Sequence, residues 1–102
     1  MKGYWCISHN FGDYQLFIAK NKSDYKFIRK NTGYLGDKIL ANGRIEIEEC
    51  DLINFTESKN PAISILTKAW EESRKTSKLD KKSLANKLKE LNYQGLIQRA
   101  SQ

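Results

Sequence analysis

The sequence predicts an α+β fold: an antiparallel sheet of four to five strands within residues 1–58, followed by two C-terminal helices within 60–99 that pack on one face of the sheet. Three observations predict it. Aromatic and β-branched residues alternate with polar ones through the first half. The only proline, Pro61, divides the chain. Beyond it, apolar residues recur at helical spacing. Each apolar stripe must be buried against another element, and laying both helices on one sheet face is the economical solution. A small curled barrel with a helical appendage is the alternative. At 102 residues, the chain is read as a single domain, 1–102.

The elements follow in order. Gly3–Ser8 and Tyr14–Ala19 read as strands, with turn residues at Asn10, Gly12 and Asp13 between them. Asn21–Asp24 reads as a polar turn. Tyr25, Phe27 and Arg29 alternate with Lys26, Ile28 and Lys30, which predicts a third strand. Gly33 and Gly36 are breakers around Tyr34 and Leu35. Asn42-Gly43 lies between Lys38–Ala41 and Arg44–Glu48 and predicts a two-residue hairpin, because Asn-Gly accommodates the positive φ that a type I′ turn needs. Leu40 would then face Ile45. Leu52–Phe55 either extends this strand past a bulge or forms a short extra one. Asn60-Pro61 starts a helix, with Asn as N-cap and Pro at the first helical position, running to about Thr76. Its stripe is Ile63, Leu66, Ala69 and Trp70. A second helix starts at Ser77 or Asp80, with Leu84, Leu88 and Leu91 as its stripe, and Gly95 is expected to interrupt or end it.

Composition narrows the function. Two Trp, five Tyr and four Phe are too many bulky side chains for a disordered tail. No apolar run approaches the length of a membrane span, and the first residues lack a signal-peptide core, so a cytoplasmic protein without membrane contact is expected. Cys6 and Cys50 have neither CxxC spacing nor a histidine pair, so no metal site and no cofactor are expected, and both thiols read as small buried side chains kept reduced, with a disulfide as the alternative. Trp5 and Trp70 read as core anchors.

Charge is the strongest functional signal. The formal net charge is +6, and it is uneven. Residues 1–60 carry nine Lys/Arg against eight Asp/Glu, whereas residues 61–102 carry nine against four. Arg74, Lys75, Lys78, Lys81, Lys82, Lys87 and Lys89 face a single acid, Asp80, within residues 74–89. Such a surface would displace counterions from a phosphate backbone. A second group, Lys22, Lys26, Arg29 and Lys30 with Lys20, interleaves with Tyr25 and Phe27. Aromatics among cations suit a single-strand platform, although strand alternation would put the rings and most lysines on opposite faces.

These observations point to a nucleic-acid-binding accessory protein, for DNA or RNA, rather than an enzyme. Two other readings compete. A dense acidic strand, Glu46–Asp51, beside a basic helix would suit an inhibitor or regulator of immunity, antitoxin or anti-defence type that docks on a charged, acidic protein surface. The only histidine, His9, would serve as the base of a small metal-independent ribonuclease. Ser83–Leu88 looks like the first helix of a helix-turn-helix. Lys89-Glu90-Leu91 continues the helix where the turn belongs, and few residues follow Gly95.

Overall fold

A computed structural model describes the backbone of residues 1–10, 12–32 and 38–100, with side chains for 1–9, 12–30 and 38–91. The class is α+β. Among the described residues the sheet has three strands rather than four or five: β1 (Lys2–Asn10), β2 (Asp13–Ala19) and β3 (Lys38–Glu46). β1 is central and antiparallel to both neighbours, in the order β2-β1-β3. The described residues also form four helices, α1 (Lys22–Thr32), α2 (Glu49–Ile53), α3 (Pro61–Thr76) and α4 (Lys81–Ala100), and a short 3-10 turn (Phe55–Glu57).

Two elements differ from expectation for identifiable reasons. Residues 25–30 are helical. Asn21, read as part of a turn, caps α1: its Oδ1 accepts the Asp24 N–H at 2.8 Å, and its carbonyl accepts the Tyr25 N–H at 3.2 Å. Tyr25 and Arg29, four apart, then share the face turned to the sheet. The Tyr25 ring lies 5.6 Å from that of Tyr4 and 5.5 Å from that of Phe17. Asn42-Gly43 is likewise no hairpin but the interior of β3, where Gly43 pairs with Trp5. A Cβ on Gly43 would stand 2.9 Å from the Trp5 Nε1, so the residue is glycine because an indole lies across it. The pairing of β1 with β3 slips between Ile7 and Ser8, leaving Leu40 as the extra residue of a bulge instead of a partner for Ile45. Leu52–Phe55 falls in α2 and the 3-10 turn.

Alternation along β1 divides the interior into two layers. Trp5 and Ile7, with Leu16, Ile45 and Ile47, pack against Ala62, Ile63 and Leu66 of α3 and Leu84 of α4. Tyr4 and Cys6, with Ala19, pack against Tyr25 of α1. The sheet is therefore covered on both sides, by α1 on one and α3 with α4 on the other. α3 begins at the Asn60-Pro61 signal, where Asn60 Oδ1 accepts the Ala62 N–H at 3.0 Å. α4 begins after Asp80, whose Oδ1 accepts the Ser83 N–H at 3.0 Å. Gly95 does not end it; α4 continues to Ala100. Leu96 and Ile97 lie outside the residues whose side chains are described.

Both thiols are free, and they differ in exposure: Cys6 is buried, whereas Cys50 on α2 is exposed, contrary to expectation. Burial pushes the Cys6 thiol up. Burial, then the neighbouring Cys6, pushes the Tyr25 phenol up to about 12. A thiol reagent is expected to titrate one cysteine per native chain at pH 8 and the second only on unfolding. Two fast-reacting thiols in the native protein would contradict the buried position of Cys6.

Candidate nucleic-acid interface

The basic segment forms the end of the α3–α4 pair. Ser77, at φ 57°, ends α3 in the left-handed region. The Thr76 hydroxyl donates to the Glu72 carbonyl at 3.0 Å. Asp80 then starts α4 (above), so only a short turn separates the two helices, and Lys75, Lys78 and Lys87 line one groove. This groove, of about 670 Å³, runs between the helices. Ile65, Ala69, Leu79 and Leu84 contribute apolar lining, Lys68, Lys75, Lys78 and Lys87 line it with cations, and Glu71, Glu72 and Asp80 also border it.

The predicted cations divide into three sets. Lys75, Lys78, Lys81, Lys82, Lys87 and Lys89 are exposed on the helical pair. Among the described residues, none of the six lies within ion-pair distance of a carboxylate. Lys82 and Lys89, seven apart, lie by helical period on the side of α4 away from Leu84 and Leu88. Lys22, Lys26 and Lys30 are exposed on α1, across the sheet from the first set.

Two arginines form the third set and serve the fold. Arg29 is buried at 7% exposure. Its guanidinium lies 4.6 Å from the Phe17 ring centroid, and its Nη1 donates to Gln15 Oε1 at 3.1 Å. Arg74 sits 3.6 Å from the Asp13 carboxylate and 5.2 Å from the Trp70 ring centroid, tying α3 to the β1–β2 turn. The Trp70 Nε1 reinforces that junction by donating to the Tyr14 carbonyl at 2.7 Å, which covers part of the edge of β2.

In the acidic segment Glu46 and Asp51 are engaged internally, whereas Glu48 and Glu49 are exposed. Glu46 pairs with the Met1 ammonium at 3.4 Å and with Lys2 at 3.7 Å. Asp51 is buried at 4% exposure. It accepts the Glu48 N–H at 2.8 Å and the Ser58 hydroxyl, and the backbone bond to Glu48 leads in holding its carboxyl below the usual range. His9 is half-buried, its ring 4.9 Å from that of Tyr14. Among the described residues no three His, Cys, Asp or Glu side chains form a metal-binding group. No helix among them is long and apolar enough to cross a membrane.

Phe27 takes a position that a strand would not give it. As a strand residue it would share a face with Tyr25 and lie apart from Lys26 and Lys30. On α1 it is 69% exposed and sits beside both. The signal that would have found this is Asn21 three residues ahead of Asp24, an N-cap pattern, together with lysines at every fourth position. Compared with protein-family models, curated proteins and solved structures, the chain matches none.

Proposed function

We propose that this chain binds nucleic acid through the exposed lysines of the α3–α4 pair. The observation that carries the reading is the set of six, Lys75, Lys78, Lys81, Lys82, Lys87 and Lys89, exposed and without a carboxylate partner among the described residues. Cations left unpaired near one another repel, and a polyanion relieves that repulsion while releasing its own counterions. The acidic surface that a docking regulator would need is reduced to Glu48 and Glu49, because Glu46 and Asp51 already have partners.

The test is fluorescence anisotropy with labelled oligonucleotides across a salt series. Affinity is expected to fall at least tenfold between about 50 and 200 mM salt. Replacing Lys75, Lys78 and Lys87 together with glutamine is expected to lower affinity at least tenfold at low salt and flatten the salt slope by about 2 to 3. No binding at low salt, or an unchanged slope in the triple variant, would overturn the reading.

A further inference from the structure

α1 presents a second surface of different character. Lys22, Lys26 and Lys30 recur every fourth residue and step about 6 Å along the helix axis, forming one exposed row. Phe27 borders this row, one residue from Lys26 and three from Lys30, and is 69% exposed. Asp24 is the one acid on α1, and it lies beyond Phe27 from the lysines. The helix beneath is held firmly. Tyr25 packs on Tyr4 and Phe17, and Arg29 on Phe17 and Gln15. α1 is therefore packed on the sheet, and its row lies on the sheet face opposite the α3–α4 lysines.

A ring left in water beside a row of ammonium groups combines two kinds of contact. The lysines offer charge at a spacing close to that of neighbouring phosphates on one strand. The ring offers a π-face, which a paired base inside a duplex cannot reach but an unpaired base can. An acidic peptide would satisfy the lysines alone. We infer that α1 is a contact for a single strand, with Lys22, Lys26 and Lys30 on successive phosphates and Phe27 stacked on an unpaired base. This deepens the nucleic-acid reading, on which it rests, by adding the substrate class and a second surface.

The experiment compares a labelled pyrimidine single strand with a duplex of equal length, using wild type, Phe27→Ala, Phe27→Tyr and the pair Lys26→Gln/Lys30→Gln. Phe27→Ala is expected to weaken single-strand binding at least fivefold and to change duplex binding less than twofold. Phe27→Tyr keeps the π-face and is expected to restore affinity. The lysine pair is expected to flatten the single-strand salt slope by about 1 to 2. Phe27 is exposed, so an unchanged Tm is expected and separates loss of contact from loss of fold.

If wild type binds and Phe27→Ala leaves single-strand affinity within twofold, this inference fails while the nucleic-acid reading stands. If wild type binds neither probe at low salt, both fail. Polyglutamate that displaces the single strand equally well from wild type and Phe27→Ala would mark a surface that reads charge alone, and would overturn the role of the ring.

Discussion

Trp5→Ala is expected to lower the stability of this chain by about 3 to 5 kcal/mol, a large share of the margin a domain of this size holds. Trp5 is 5% exposed on the central strand and joins both C-terminal helices to the sheet through the main cluster. Its indole occupies the space in which a side chain at position 43 would stand. Gly43→Ala is therefore expected to cost about 1 to 3 kcal/mol by overpacking. The decisive measurement is a double-mutant cycle with Trp5→Leu, read by urea unfolding. Removing the indole gives the new methyl room, so the two changes should couple by at least about 1 kcal/mol. A hairpin turn at Asn42-Gly43 would behave otherwise: alanine would be penalised by the turn's positive φ whatever stood at position 5. Additivity within about 0.5 kcal/mol would remove the packing explanation for this glycine.

That glycine shows where sequence reading succeeds and where it stops. β1, β2 and the start of α3 are set by local chemistry: alternation with turn residues, then Asn60-Pro61. They were legible because nothing distant competes with the local preference. Asn42-Gly43 carries an equally strong local preference, and a tryptophan some 40 residues earlier overrides it. Residues 25–30 fail differently. Tyr25, Phe27 and Arg29 satisfy a period of two, and Tyr25 with Arg29 also satisfies a helical spacing of four. The Asn21 cap and the fit against Tyr4 and Phe17 decide between them. The candidate site was legible in part for the same reason. A surplus of lysines over residues 74–89 needs no structure to be seen. That α1 faces away from them across the sheet, that Arg29 and Arg74 are committed to Phe17, Gln15, Trp70 and Asp13, and that Phe27 is exposed all depend on tertiary placement.

Asp51 tests the same dependence in a group whose protonation can be set from outside. Its carboxylate accepts the Glu48 N–H and the Ser58 hydroxyl. The Ser58 oxygen in turn accepts the Asn60 N–H at 3.1 Å, and the Asn60 amide donates to the Glu46 carbonyl at 2.7 Å while its Oδ1 caps α3. This chain of bonds fastens the end of β3 to the start of α3. Asp51→Ala leaves a buried donor without its acceptor and is expected to cost about 2 to 3 kcal/mol. Asp51→Asn keeps the size, loses the charge, and is expected to cost less. The folded chain favours the carboxylate, so the Asp51 pKa lies below the ordinary 3.8. Its contribution is therefore complete above that unfolded value and is lost as pH falls through the lower folded one. Urea midpoints for wild type and Asp51→Asn should differ at pH 7 and converge as pH drops below about 4. A difference that does not narrow on acidification would rule out the charged carboxylate as its source. The clasp sits at the N-terminus of α3, and the lysine cluster begins near its C-terminus, about 20 Å away along the axis. Folded Asp51→Asn at pH 7 should therefore keep wild-type affinity for an oligonucleotide. Loss of binding in a variant that remains fully folded would mean that the lysine surface depends on how α3 begins, and not on charge alone.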